Sequence, residues 1–399
     1  MNPFPMLRAH LRRHLWSSLG ILLLLSLAFS ATVMVSIFER GLRRAGASVS
    51  RDTDLVIGSV GSSLQLVLTA VFLQTSDVLT LIPADVLGRL TADPRVQAVS
   101  PLIFADHWQG SPIVGVGPDF PALKRALRLA KGRWPEAEFE ATAGSSVGVR
   151  VGEEIESAHG VTERPGVFEE AHREAHYVVV GLLSPTGTPW DRGLYTPYQS
   201  LWTIHGLGRN DGRAANAERG ISAILVKPKD FAAAYSLRAD YGKGTLAAVF
   251  PGEILARVFS VFQDVKTAFT GLSVLFQLVV FAAVLLSLLA SLPARTRWIG
   301  LLRALGAGRA YVFLTLWIQS AVVFLFAGLA GALVGWIGAA LLSGIVEART
   351  GLRLPLSVTG TEITILGAFW AVGLAAALLP AWRGFRISVR RAFLDSPGG

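Results

Sequence analysis

Three groups of residues in this 399-residue chain have types and spacings that chemistry can use. Gly144–Gly148 reads Gly-Ser-Ser-Val-Gly, with Ser146 central and Asp191 and His205 later in the chain, the order of a hydrolase triad. That pattern holds a nucleophilic serine on a sharp turn only between a strand and a helix. The next residues, "VRVGEEI", alternate like a strand, so the run reads as a β-turn. His172 and His176 stand four residues apart, near His159, Glu169, Glu170 and Glu174. On a helix that spacing sets two imidazoles on one face, which makes the pair a weak candidate for metal ligation. A solvated loop explains the same run, and no metal is assigned. Tyr241–Thr245 contains Gly-Lys-Gly-Thr without the G-x-x-x-x-G-K-[ST] spacing that cradles phosphates, and reads as a turn. No catalytic residue is assigned, and the chain is expected not to be an enzyme.

The elements that carry these residues can be read from composition. Hydrophobic residues make up 52% of the chain and charged ones 16%. With a mean hydropathy of +0.49, this is too apolar for an ordinary soluble protein. Four windows hold no Asp, Glu, Lys, Arg or His: Leu15–Phe38, Thr267–Ala294, Ala310–Val346 and Ile363–Trp382. Each exceeds or matches the roughly 20 residues of helix that cross a hydrocarbon core, and helix is the form that satisfies its own backbone there. The first window has a basic lead and small residues near Ala28, as a secretion signal has. Its apolar run continues through "TVMVSIF", beyond the roughly 7–15 residues of a signal core, so it reads as an uncleaved span.

The expected fold is therefore an α-helical membrane protein with four transmembrane helices, 1 + 3, and a large α+β extracytoplasmic domain between helices 1 and 2. The segments are a cytoplasmic N-terminus at 1–14, helix 1 at 15–38, the domain at 39–266, helix 2 at 267–294, and a cytoplasmic segment at 295–309. Helix 3 is at 310–346, an external loop at 347–362, helix 4 at 363–382 and a cytoplasmic tail at 383–399. Within the domain, "HYVVVGLL" and "SAILVK" read as strands, and "PADVLGRL" and "FPALKRALRLAKG" as helices. "FERGLRRAGASVS" and "GEILARVFSVFQDVK" read as helical stalks that lead into and out of it. Trp108, Trp134, Trp190 and Trp202 read as core, and "PTGTP" at 185–189 as a rigid loop.

Orientation is set by arginines beside short loops, which favour the cytoplasm. Arg295, Arg297, Arg303 and Arg309 fill one loop, and Arg383, Arg386, Arg390 and Arg391 the tail. The net charge of +9 partly reflects these arginines, and nucleic acid is not an expected partner. The chain has no cysteine, so the external domain folds without disulfides.

The segment 295–309 is more than a loop in its pattern. Trp298, Leu301, Leu302 and Leu305 fall at i, i+3, i+4 and i+7, one apolar stripe with glycines at 300, 306 and 308. The pattern fits an interfacial loop helix, and it also fits a helix that docks in a groove of another protein. In the third span, Gly328, Gly331, Gly335 and Gly338 lie close to one face. Such spacing serves close helix packing, either within one chain or at a dimer seam.

The stretch "IGLLRALGAGRAYVFLTLWIQSAVVFLFAGLAGALVGWIGA" closely resembles the FtsX-like permease family, the membrane subunits of macrolide-exporter and lipoprotein-releasing (type VII) ABC transporters. The terminal "LLPAWRGFRISVRRAF" resembles that family's tail. Trp298 stands where the family commonly has an acidic residue, and Ser388 and Val389 near its usual proline. The resemblance implies that Trp298, Ile299, Gly300, Leu301, Leu302, Arg303, Ala304, Leu305, Gly306 and Ala307 form the helix that couples to a cytoplasmic ABC ATPase. ATP and Mg would sit on that partner, and this chain would bind no cofactor. It further implies a homodimer or pseudo-symmetric heterodimer in the cell inner membrane, with the large domain in the periplasm. A periplasmic adaptor or lipoprotein would be a further partner. The implied function is mechanotransmission for export, extraction or handling of an envelope substrate. The alternative, after the cell-division members of the family, is a signalling scaffold that regulates an envelope enzyme.

Overall fold

The computed structural model describes residues 15–51, 53–74, 79–159, 171–205, 219–290 and 292–386. It divides into two compact units. One holds 1–41, 262–343 and 356–399, and its described elements are helices; the other holds 42–261 and 344–355 and carries the sheets.

Helix α1 (Leu15–Ser50) leads to β1 (Leu55–Ser59), α2 (Ser63–Phe72), β2 (Ile82–Pro83), α3 (Asp85–Ala92), β3 (Val96–Trp108) and β4 (Ser111–Val116). Next come α4 (Phe120–Leu123), β5 (Leu129–Gly132), β6 (Glu140–Ala143), β7 (Glu154–His159), β8 (Ala171–Leu183), a 3-10 turn at Pro189–Arg192 and β9 (Leu194–Pro197). The domain ends with α5 (Tyr198–Ile204), β10 (Gly220–Ile221), β11 (Ala223–Pro228), α6 (Phe231–Tyr241) and β12 (Leu246–Val249). The remaining helices are α7 (Pro251–Ala290), α8 (Leu292–Ala304), α9 (Arg309–Thr350) and α10 (Gly360–Phe385). Among the described residues, α1, α7, α9 and α10 are the four helices long and apolar enough to cross a membrane.

In the sheet unit, strand pairing runs β12-β1-β11-β3-β4-β9-β6-β8-β5, and β7 joins β3 to β8. Strands β3, β4, β9, β6, β8 and β7 thus form a closed ring, which leaves no free edge among them. Its interior is apolar, with Ile103, Ile113, Val179 and Leu194 buried beside Tyr177. The arm β12-β1-β11 is covered on both faces. Leu55, Ile57, Ile224 and Val226 meet Val86 and Leu90 of α3 and Leu237 of α6. On the other face Gly58 leaves room for Leu66 of α2, whose Cδ1 stands 2.5 Å from where a Cβ would be. Burial on both faces gives near-continuous apolar runs such as "AILV" in place of alternation.

The sequence "FPALKRALRLAKG" is not one helix, as its composition suggests. Only Phe120–Leu123 is helical, and Leu129–Gly132 becomes β5, paired antiparallel with β8. Lys124 explains the break: it is 2% exposed, its ammonium donating to Thr53 Oγ1 and lying 4.6 Å from the Trp190 ring centre. A lysine held inward at that point cannot stay on a solvated helix face. Tyr241–Thr245 forms the end of α6 and the turn into β12, with Gly244 at φ +66°.

The helical unit is built around α1. Leu25, Phe29, Val33 and Ile37 are buried against Phe281 of α7, Phe324 of α9 and Phe369 of α10. Phe29 and Phe369 have ring centres 4.5 Å apart. The glycines of α9 make this closeness possible. A Cβ on Gly331 would lie 2.7 Å from the Ser26 carbonyl oxygen, and one on Gly335 2.6 Å from that of Ser30. Gly338 faces Met34, and Gly328 faces Trp370 of α10. All four therefore pack within the chain, three against α1 and one against α10. Polar links join the same helices: Gln277 Nε2 donates to Thr32 Oγ1 at 2.7 Å, and Lys266 pairs with Glu39 at 3.0 Å.

Candidate functional site

Helix α8 begins and ends earlier than its arginines suggest, at Leu292 and Ala304. Its end is closed by Leu305 N–H donating to Leu301 C=O and Ala307 N–H to Leu302 C=O, with Gly306 at φ +95°. A left-handed glycine just past the last turn is how such a helix satisfies its orphan carbonyls. The chain then starts α9 at Arg309.

The apolar stripe read from the sequence is split. Ile299 is fully buried with Val312 and Leu316 of α9 and Ala381 of α10, and Gly300 is buried beside it. Leu302 and Arg303 are half-buried on that side. Leu301 and Leu305, one turn apart, point away and are 53% and 75% exposed. Ala304 and Gly306 are exposed with them, and Ala307 is buried. Trp298 lies in the helix, but its side chain is outside the described residues, as are those of Arg295 and Arg297. So α8 is anchored by one face and presents two leucines on the other.

At the opposite end of the helical unit lies an ion pair that the spans' lack of charge conceals. Glu362, 6% exposed, is in the first turn of α10, and Arg40 is near the end of the span part of α1. Arg40 donates to both carboxylate oxygens and to Ser357 C=O at 3.0 Å. Ser36 Oγ donates to Glu362 at 2.9 Å, and Thr359 donates through N–H and Oγ1, each at 2.9 Å. Every lone pair of the buried carboxylate is thereby engaged, which is what makes a buried pair tolerable. Thr359-Gly-Thr-Glu362 is a capping box, legible in sequence; its partner Arg40, 322 residues away, is not.

In the sheet unit, the segment after α9 is fastened to the loop 185–192. Arg353 N–H donates to Gly187 C=O at 2.9 Å, and Arg192 donates to Arg349 C=O at 2.9 Å. Gly351, at φ +71°, leaves no room for a Cβ, which would meet Arg192 Cδ at 2.7 Å. The loop is rigid because Asp191, 5% exposed, accepts from Thr186 N–H and Oγ1 and from Gly187 N–H at 2.7–3.0 Å. Trp190 is core, stacked on Tyr195 and near Phe120. Trp108, Trp134 and Trp202 are half-buried.

The triad residues do not meet. Ser146 sits in a turn after β6, with no helix after it, and its N–H donates to Asp191 C=O at 2.8 Å. The Asp191 carboxylate serves its own loop, and His205 pairs with Asp106 at 3.1 Å. Asp106 is fully buried, and the neighbouring Tyr177 hydroxyl has its pKa raised by burial and by that carboxylate. His172 and His176 lie in strand β8, not on a helix. Four strand residues span roughly 13 Å, too far for one metal ion. His176 faces Glu156 of β7 at 3.8 Å. His159 ends β7, Glu174 is in β8, and Glu169 and Glu170 are outside the described residues. Among the described residues no group of three metal-ligating side chains converges.

No curated protein matches the chain. Among solved structures it is similar to the extracellular domain of the noncanonic ABC-type transporter YknZ from Gram-positive bacteria. That likeness has 14% identity and a TM-score of 0.31, over 49% of this chain and 98% of that one. Residues 270–389 match the family model described as FtsX-like permease C-terminal, within a chain that has four helices long and apolar enough to cross a membrane and a mixed α/β domain after α1.

Proposed function

We propose that the chain is the membrane subunit of an ATP-driven complex of the FtsX-like type, with ATP and Mg held by a separate cytoplasmic ABC ATPase. The observation that carries this reading is α8: a helix anchored through Ile299 and Gly300 that holds Leu301 and Leu305 outward. An exposed pair of leucines one turn apart on a fixed helix suits a groove in a partner. Arginines beside α8 and in the tail favour a cytoplasmic location for this end, and in this reading the sheet unit is periplasmic and the membrane an inner one.

The complex is a dimer of this chain. Helix α7 exposes Phe262, Val265, Phe269, Leu272, Phe276 and Val279, spaced three and four residues apart and each 45% to 62% exposed. That is a heptad seam, and Phe262 and Val265 precede the uncharged window, where lipid does not account for them. The glycines of α9 are used within the chain, which supports α7 as the face of the pair. ATP-driven motion at α8 passes along helices that the two units share, α1, α7 and α9, to the periplasmic domain. The clamp between 349–353 and 187–192 ties the end of α9 to that domain. The work done there is export, extraction or handling of an envelope substrate, with a periplasmic adaptor or lipoprotein as a further partner.

The test is Leu301→Asp and Leu305→Asp in the full complex. Both sites are exposed, so the chain should insert and fold as before while its ATPase co-purifies less and loses dependence on the chain. Unchanged ATPase turnover and transport in both variants would sink the coupling role of α8. Normal ATPase coupling with no movement of any substrate would favour the scaffold reading.

A further inference from the structure

We propose that the adjoining ends of α9 and α10 bind the headgroup of an anionic phospholipid, with Arg309, Arg383 and Arg386 as cations and Trp382 as platform. The two helix ends are held together by apolar contact. Val312 and Leu316 of α9 are buried with Ala381 of α10, and Gly384 leaves room for Leu316. Beside them the Phe313 and Phe385 rings meet edge to face at 6.4 Å, and Phe385 stacks on Trp382 at 6.0 Å. The Arg386 guanidinium lies 5.2 Å from the Trp382 ring centre, and Arg309 stands one turn before Phe313 on the same face of α9.

The place of these residues in the chain selects lipid as the occupant. Arg309 directly precedes the uncharged window Ala310–Val346, and Arg383 directly follows Ile363–Trp382. Both stand where hydrocarbon ends and headgroups begin, the level at which tryptophan is also enriched. Trp382 is 51% exposed, and all three arginines are exposed as well. Lipid headgroups are the molecules that meet side chains at this level.

Charge makes that headgroup an anion. Segments 1–14, 295–309 and 383–399 share one side of the four-span arrangement, and they hold eleven arginines and one carboxylate side chain, Asp395. A single aspartate cannot neutralise them, wherever it lies. Among the described residues Arg309, Arg383 and Arg386 form no ion pair, whereas Arg40, Arg95, Arg133 and Arg238 each hold a carboxylate. A second observation is independent of this balance. Arg309 is the first residue of α9, and the positive end of a helix disfavours a cation. An anionic headgroup seated against Arg309 reverses the sign of that energy. A zwitterionic headgroup brings its own ammonium to the same arginines, so the site selects lipids of net negative charge. It requires no ATPase, so its failure and that of the coupling reading are separate.

Native mass spectrometry of the full chain in uncharged detergent tests it, with phosphatidylglycerol and phosphatidylcholine of identical acyl chains as probes. Phosphatidylglycerol should bind more tightly, and its advantage should shrink as salt is raised during loading. R309Q and R386Q should each weaken it about fivefold, the worth of one arginine near an anionic headgroup. R349Q removes the same charge from an exposed position at the far end of α9 and should change nothing. All three changes are at exposed sites, and circular dichroism checks that the helices are retained. Equal binding of the two lipids, or equal weakening by R349Q, would overturn the site. So would R309Q and R386Q variants that keep the lipid preference but lose a co-purifying ATPase, because these arginines would then serve a protein partner.

Discussion

Glu140 illustrates how one carboxylate holds a turn in this protein. It pairs with Arg133 and accepts the N–H groups of Glu136 and Ala137 at 2.9 and 3.1 Å, closing the segment that leads into β6. The Arg133 hydrogen bond lowers its pKa from 4.5 to about 2. A carboxyl depressed on folding contributes stability above its unfolded pKa, and that contribution is lost as pH falls through the folded one. Thermal unfolding of the full chain in detergent should therefore show a loss of stability between pH 4.5 and about 2, and Glu140→Gln should flatten that limb. An identical acid limb in the variant would mean that other carboxylates set it. Glu362 likewise closes a turn, accepting from Thr359 at the start of α10 with Arg40 as its cation.

At the scale of elements, α9 shows why residue size decides helix packing in lipid. The apolar effect is weak between helices already in hydrocarbon, so association depends on close contact. Gly331 and Gly335 bring α9 onto the backbone of α1. Gly331→Ala places a Cβ 2.7 Å from a carbonyl oxygen that cannot rotate away, and should cost about 1–3 kcal/mol of stability. The same change at Gly344, with nothing within 4 Å, should stabilise by about 0.5–1 kcal/mol through helix propensity. Chemical denaturation of the two variants in one detergent reads both signs. Equal effects would mean that α1 and α9 do not pack through this face.

For the whole molecule, the dimer proposed above rests on the exposed apolar heptad of α7. The double variant Phe262→Asp with Val265→Asp changes only residues that precede the uncharged window. It should convert the purified chain from dimer to monomer in light scattering and abolish stimulation of the ATPase, with the fold intact by circular dichroism. A dimer of unchanged mass would place the seam elsewhere.

The uncharged windows alone determine that four helices cross a membrane, because a charge or an open backbone in hydrocarbon costs too much to leave the choice to tertiary context. The Thr359–Glu362 capping box and the glycine that ends α8 are equally local, since their partners lie within a turn. The spacing of Trp298, Leu301, Leu302 and Leu305 marks an apolar helix but not which leucines are free. That depends on how α9 and α10 receive Ile299. The same limit governs the rest. His172 and His176 have helix spacing yet lie in a strand because β7 offers a partner edge. Arg40 finds Glu362 only after distant segments are folded together. Periodicity is set by a helix's or strand's own geometry and is written in the chain. Pairing between remote segments is set by the sheet ring and the helix crossings, and only the tertiary structure decides it.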